Sequence, residues 1–237
     1  MSLILNIETS TSVCSVALSV DNGVIDFRES HGERSHATRL TPFIDDILQK
    51  AGTVPEKLDA IAVSKGPGSY TGLRIGVATA KGMAYSLGKP LIAIDTMLCM
   101  CHGLLKENPG LSGHDDTLLC PMIDARRMEV FLAVYKSNLS VLQEVRAEII
   151  TANSFKDILE SQKVIFFGDG MNKCRQVLHH ENAVFIDDFN PLARYLALIS
   201  HSYFVNNNFV DVAYFEPYYL KDFMATTPKN SLLQKRR

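Results

Sequence analysis

A glycine-rich turn is the part of this 237-residue sequence best suited to holding an anion. It reads Gly66-Pro67-Gly68-Ser69 and stands between a predicted strand and a predicted helix. Glycines let backbone amides approach a ligand closely, and a helix N-terminus favours negative charge. The Walker ending Gly-Lys-Ser/Thr and the dinucleotide pattern Gly-x-Gly-x-x-Gly are both missing, so a plain strand-to-helix connection explains the turn at least as well.

Two further turns could take part in nucleotide binding. The first predicted strand runs into Glu8, Thr9 and Ser10, where Ser10 replaces the glycine that would ease a close approach. Hydroxyl-rich turns of this kind also satisfy their own backbone groups. The other turn is Gly168-Asp169-Gly170 in the second half. The candidate nucleotide or anion site therefore comprises Glu8, Thr9, Ser10, Gly66, Gly68, Ser69, Gly168 and Gly170.

Signals for a metal or a nucleophile are weak. The run Cys99-Met100-Cys101-His102, with His114 and Cys120 downstream, lacks a second ligand pair at finger-like spacing. Five cysteines without disulfide spacing indicate reduced thiols. Ser69 and His36 have no evident orienting partner, and no Gly-x-Ser-x-Gly or His-Glu-x-x-His motif is present. We predict no catalytic residue, no metal site and no cofactor in this chain.

The elements that must position these turns occur twice. The first half reads as strands Leu3–Ile7, Val13–Val20 and Val24–Arg28, helix Ser35–Lys50, strand Leu58–Ser64, helix Thr71–Leu87 and strand Pro90–Ile94. The second reads as strands Thr117–Ile123, Glu129–Lys136 and Val141–Ile149, helix Ser154–Glu160, strand Lys163–Phe167, helix Asn172–His180, strand Ala183–Ile186 and helix Pro191–Asn206. Hydrophobic periodicity and turn residues define these elements. Ser35 is a predicted N-cap, and Gly52 is predicted just after the end of the first helix.

Composition limits the function classes. Hydrophobic residues make up 46% and charged residues 21%, with a formal net charge of -2. This balance does not provide the broad basic surface that binding nucleic acid or anionic lipid alone requires. No apolar run reaches the length of a membrane span, and the start of the chain has no leader pattern. We expect a cytoplasmic protein.

One helix carries a stripe of small residues. Gly72, Gly76, Thr79 and Met83 recur at helical spacing, and small residues permit close approach of another helix. The stripe could therefore bind a partner protein, or the helix predicted at residues 35–50 could cover it within the same chain. A second unassigned feature is the charged turn after residue 123, where Arg126 and Arg127 could anchor a carboxylate or phosphate. Surface ion pairs are its ordinary explanation.

The repeated order of elements resembles the duplicated ribonuclease-H-like subdomains of the actin, Hsp70 and sugar-kinase superfamily. This predicts an α/β fold with two mixed sheets. The expected division is a subdomain at 1–105 completed by the C-terminal segment 190–222, a smaller subdomain at 115–188, and a tail at 224–237. The linker is expected at Gly103–Asp116, where turn residues cluster.

Several segments together resemble the bacterial TsaB family. They are Ile7-Glu8-Thr9-Ser10-Thr11, His36–Pro42, Gly66–Gly76, Asp124–Val130 and Glu216–Lys221. The resemblance implies a non-catalytic subunit of the complex that makes threonylcarbamoyladenosine in tRNAs reading codons that begin with A. It would pair with and activate a TsaD-type transferase, recruit a TsaE-type ATPase, dimerise when alone, and meet tRNA only through the complex.

The resemblance also assigns surfaces and departures. Its first two helices would form the partner surface, with Leu40, Thr41, Ile44, Leu48, Gly72, Ile75, Gly76, Thr79 and Met83 as contacts. Asp95–Met100 stands where the catalytic paralogue carries two metal-binding histidines, and this segment has none. ATP or ADP would lie at the partner interface. The alternatives are an active ATPase or kinase using Glu8, Asp124 or Asp169, and a peptidase.

Overall fold

The computed structural model describes residues 1–32, 36–114 and 116–221. Its first half forms a mixed sheet in which three antiparallel strands precede two parallel ones. The strands are β1 (Leu3–Glu8), β2 (Val13–Val20), β3 (Gly23–His31), β4 (Ala60–Gly66) and β5 (Leu91–Asp95), in the order β3-β2-β1-β4-β5. β1 pairs antiparallel with β2 and parallel with β4, so β1 and β4 end at the same edge.

The second half repeats this sheet. Its strands are β6 (Thr117–Asp124), β7 (Glu129–Lys136), β8 (Val141–Ile149), β9 (Lys163–Phe167) and β10 (Ala183–Ile186), in the order β10-β9-β6-β7-β8. β6 again pairs antiparallel with the following strand and parallel with β9. Two sheets with the same order confirm the predicted actin/Hsp70-like fold of two ribonuclease-H-like halves.

Helices cover both sheets. They are α1 (His36–Lys50), α2 (Tyr70–Leu87), α3 (Thr96–Glu107), α4 (Lys156–Leu159), α5 (Met171–Cys174) and α6 (Ala193–Val205). Gly52, two residues after the end of α1, has a φ of +61°, as its predicted position requires. Ser35, the predicted N-cap of α1, lies outside the described residues. Pro191 falls before α6 and not in its first turn.

Two helix predictions were wrong. The sequence pattern predicted no helix at Thr96–Glu107, and it placed the start of the linker at Gly103. Asp95 caps α3 by accepting hydrogen bonds from the backbone amides of Met97 and Leu98. Most residues of α3 are buried, so the sequence of this helix lacks the polar face that marks a surface helix. The predicted helix Asn172–His180 is the single turn α5.

The final helix packs against the first sheet. The backbone amide of Ala193 donates to Ser15 Oγ at 2.8 Å, and Leu196 and Ile199 lie in one core cluster with Ile4 of β1. Apolar burial on this scale is the main stabilising contribution in a fold of this size. The subdomain division at 1–105 and 115–188 stays a proposal, and the tail at 224–237 lies outside the described residues.

Residues 210–221, called the C-terminal strap, run back across the first half. The amide of Val210 donates to Leu91 O, and Lys81 Nζ donates to the backbone oxygens of Ala213 and Phe215. The amide of Tyr218 then donates to Lys65 O at 2.7 Å. The strap ends where Lys221 pairs with Glu129 of β7. It therefore connects the two sheets.

No helix in the described part of the chain is both long and apolar enough to span a membrane.

Candidate functional site

The two turns predicted to hold an anion in the first half touch each other. The amide of Ser69 donates to Ser10 O at 2.6 Å. A Cβ placed on Gly68 would lie 2.3 Å from the same oxygen. Gly68 therefore allows one backbone turn to pack directly on the other, and this contact leaves no room between them for a phosphate. Gly66 likewise lies against the strap, where a Cβ would be 2.8 Å from Tyr218 O.

Glu8 is buried between these turns and is 0% exposed. Its Oε1 accepts from the amide of Ser10 at 2.6 Å and from Ser64 Oγ at 2.9 Å, while its Oε2 has no hydrogen-bond partner among the described residues. Burial raises the pKa of the Glu8 carboxyl, and the hydrogen bonds from Ser10 and Ser64 oppose that rise. A carboxyl without solvent access cannot act as a base toward a substrate in this conformation.

The two glycines of the small-residue stripe on α2, Gly72 and Gly76, face the interior. A Cβ on Gly72 would lie 2.1 Å from Thr9 O, and a Cβ on Gly76 would lie 2.1 Å from Thr9 Oγ1. Thr9 Oγ1 also donates to Gly72 O at 2.8 Å. Both glycines are buried, and they let α2 approach the turn after β1. The prediction that Gly72 and Gly76 contact a partner is corrected, because Thr9 already fills that space.

Three of the predicted contacts on α1 are also interior. Leu40, Ile44 and Leu48 are 1%, 6% and 4% exposed and belong to the core beneath the helices. They can support a partner surface only indirectly. This correction follows from the amphipathic pattern itself, since the apolar stripe of a helix packs on its own sheet first.

The remaining predicted contacts lie on the outside of the two helices. Thr41 of α1 is exposed, and Ile75, Thr79 and Met83 of α2 are partly exposed. α2 also exposes Ala78 and Gly82, which the sequence pattern did not single out. A Cβ on Gly82 would meet nothing within 4 Å. We call this set the α1–α2 face: Thr41, Ile75, Ala78, Thr79, Gly82 and Met83. Periodicity alone could not choose between this face and the buried glycine stripe.

The glycine turn of the second half packs in the same way as that of the first. A Cβ on Gly168 would lie 2.2 Å from Met122 O, and a Cβ on Gly170 would lie 2.8 Å from Ile123 C. Asp169 Oδ1 accepts from the amide of Asp124 at 2.9 Å, and burial raises the pKa of Asp169. These glycines thus serve close packing on β6.

Ser69 and His36, the residues considered for the peptidase alternative, do not pair with each other. His36 Nε2 lies 2.8 Å from Thr11 O. Ser69 Oγ accepts a hydrogen bond from the amide of Gly72, so Ser69 caps the N-terminus of α2. Burial lowers the pKa of His36. Cys99, Cys101 and Cys120 are buried, and burial raises the pKa of each thiol, so these sulfurs are core side chains in this structure. The described residues contain no group of three His, Cys, Asp or Glu side chains placed to hold a metal.

Comparisons with known proteins identify the family of this chain. The family model for "TsaD: tRNA N6-adenosine threonylcarbamoyltransferase" matches residues 30–226. The tRNA threonylcarbamoyladenosine biosynthesis protein TsaB of Escherichia coli K12 is 38% identical over 133 residues, which are 56% of this chain and 54% of that protein. The match thus spans about half of the E. coli protein. TsaB of Bacillus subtilis 168 is 31% identical over 179 residues, 74% of each chain.

A solved structure is similar to this chain along nearly its whole length. It is a Pseudomonas aeruginosa protein described as uncharacterized, with similarity to peptidase YEAZ. It superimposes with a TM-score of 0.79 at 25% identity and covers 93% of this chain and 100% of its own. On these matches, the chain belongs to the TsaB family, within the wider family that the TsaD model describes.

Proposed function

We propose that this protein is a non-catalytic subunit in the synthesis of N6-threonylcarbamoyladenosine in tRNAs that read codons beginning with A. Its relatives in Escherichia coli and Bacillus subtilis carry the name of that biosynthesis. The buried state of Glu8 and the contact between the Ser10 and Ser69 turns support a role without chemistry of its own. The protein would act in the cytoplasm.

The observation that carries the proposal is the α1–α2 face. Ala78 and Gly82 present almost no side chain, so a helix from another protein can approach α2 to the short interaxial distances of close helix packing. Ile75 and Met83 provide partly exposed apolar surface beside them. This face fits a pair of helices from a related fold better than it fits a small molecule.

The proposed partners are those that membership in the family implies. The α1–α2 face would pair with a TsaD-type transferase and activate it, and the pair would recruit a TsaE-type ATPase. When alone, the chain would dimerise through the same face. tRNA would meet this chain only in the complex, and any ATP or ADP would lie at the partner interface.

Gly82→Arg tests the interface. The side chain would project from the α1–α2 face into open space, so the monomer should keep its thermal midpoint. We expect at least a ten-fold loss of affinity for a TsaD-type partner, about 1.4 kcal/mol, in a titration of the purified proteins. Stimulation of threonylcarbamoylation should fall in parallel.

Gly110→Arg is the matched control. Gly110 is also exposed, a Cβ placed on it would meet nothing within 4 Å, and it lies in the 3₁₀ turn Pro109–Leu111 away from both helices. The Gly110→Arg variant should bind the TsaD-type partner with the affinity of the wild type. Unchanged pairing of Gly82→Arg would refute the interface, and magnesium-dependent ATP turnover by the isolated chain would refute the non-catalytic role.

A further inference from the structure

The turn between β6 and β7 has an unusual backbone. We call residues 124–129 the arginine turn. Arg126 and Arg127 have φ angles of +70° and +54°, in the left-handed region that non-glycine residues rarely adopt. Both side chains are exposed. Two consecutive long side chains in this conformation are costly, and such strain persists only where the surrounding structure fixes it.

The surrounding structure does fix this turn. The amide of Ala125 donates to Glu129 O at 3.1 Å, and the amide of Glu129 donates to Arg126 O at 3.2 Å. The amide of Ile150 reaches Met128 O at 3.2 Å, and Lys173 Nζ donates to Glu129 O at 2.6 Å. The arginine turn is thus held by hydrogen bonds within itself, by the residue that follows β8 and by Lys173 of α5. Its two guanidinium groups project from a preorganised base.

The nearby carboxylates are already occupied. Asp124 pairs with Lys173, and Glu129 pairs with Lys221 of the strap. Asp169 accepts a hydrogen bond from the amide of Asp124. Within the described part of the chain, Arg126 and Arg127 form no ion pair. Because the lysines neutralise two of the acids, the arginines remain available for an external anion.

We propose that the arginine turn binds phosphate groups of the tRNA backbone in the assembled complex, an inference that rests on the proposed function. A guanidinium presents a planar set of donors that matches phosphate oxygens. Both arginines are exposed to solvent, whereas arginines that anchor protein interfaces usually occupy desolvated pockets. Phosphate contacts need no such pocket, because they position the nucleic acid through charge. A local pair of arginines also suits a chain whose net charge is -2 and whose tRNA contact is shared.

The test uses the complete complex of this chain, a TsaD-type transferase and tRNA. Binding of tRNA is measured by titration at several salt concentrations. Arg126→Ala with Arg127→Ala should weaken binding about ten-fold at low salt and reduce the slope of log affinity against log salt by about 1 to 2, since each lost phosphate contact contributes about 0.9. Pairing with the transferase should be unchanged.

Two further variants separate binding from folding. Lys136→Ala with Lys163→Ala removes the same charge from exposed positions at the far end of β7 and β9, and it should leave the affinity and slope close to wild type. Arg126→Gly with Arg127→Gly should lose tRNA affinity as the alanine variant does. Its thermal midpoint should equal or exceed that of the wild type, because glycine adopts a positive φ without strain.

Other outcomes would overturn the inference. If the alanine variant binds tRNA with wild-type affinity and salt slope, the arginine turn does not contact phosphate of the tRNA. If it loses only recruitment of a TsaE-type ATPase, the turn binds a protein. If it loses only affinity for ADP or ATP, measured on the same complex by calorimetry, the phosphate comes from nucleotide. Failure of the wild-type chain to pair with the transferase would instead refute the proposed function.

Discussion

The hairpin turns after β1 and after β6 occupy the same position in two sheets of the same order, yet their environments are opposite. Residues 9 and 10 of the first turn are 0% exposed, and Glu8 before them is buried as well. Arg126 and Arg127 of the second turn are exposed, and Asp124 before them pairs with a lysine. Topology places each turn, but it does not determine whether solvent or a ligand can reach it.

The difference comes from the helix that follows the glycine turn in each half. α2 has 18 residues and extends over the first turn, where Gly72 and Gly76 let it approach Thr9. α5 has four residues and leaves the second turn open. The first half of the duplicated fold is therefore closed around its polar turn, whereas the second half leaves the corresponding turn exposed. The predictions that follow change one half and use the other as reference.

Gly76→Arg should have the largest effect. Its Cβ would lie 2.1 Å from Thr9 Oγ1 at a buried position, so the contact between α2 and the first turn must open. We expect a loss of about 3 kcal/mol in the free energy of unfolding, the upper range for overpacking a core. Urea denaturation measures it, with Gly82→Arg on the same helix as the control. Equal stability of the two variants would mean that α2 does not close the first turn.

Glu8→Gln should change how stability depends on pH. Because burial raises the pKa of Glu8, the stability it contributes is present below the ordinary value of 4.5 and is lost as pH rises through the raised pKa. The glutamine variant does not titrate, so it should gain on the wild type as pH rises above 4.5. We expect a gain on the order of 1 kcal/mol, since a buried charged group lacks full hydrogen bonding.

Unfolding by urea between pH 4 and pH 8 measures this difference. The carbonyl oxygen of glutamine can keep the hydrogen bonds from Ser10 and Ser64. Stability curves that stay parallel across this range would show that Glu8 is not buried as a carboxyl of raised pKa.

Asp124→Asn should have the smallest effect. The side chains of Asp124 and Lys173 are 51% and 19% exposed, so solvent screens the pair from the Asp124 side, and we expect it to contribute about 0.5 kcal/mol. Thermal unfolding at low and high salt measures the loss, which should shrink as salt screens the pair. A loss as large as that of Gly76→Arg would mean that the second half is as tightly closed as the first.

Local signals in the sequence were enough for the strands and the fold class. Glu129–Lys136, Val141–Ile149, Lys163–Phe167 and Ala183–Ile186 have the predicted bounds, because alternating or continuous apolar runs are closed by turn residues. α3 was missed because its residues are mostly buried and show no clear polar face. The family followed from segments that are themselves local, such as Gly66–Gly76.

The sequence by itself determined the repeated order of elements and the family, since both depend on local patterns of residue type. Only the tertiary structure decided which side of α2 faces outward, because Gly76 and Gly82 look alike until Thr9 is placed against one of them. The same holds for Glu8, whose partner Ser64 lies 56 residues away, and for Asp124, whose partner Lys173 lies 49 residues away. Burial and ion pairing are long-range properties, so spacing along the chain does not contain them.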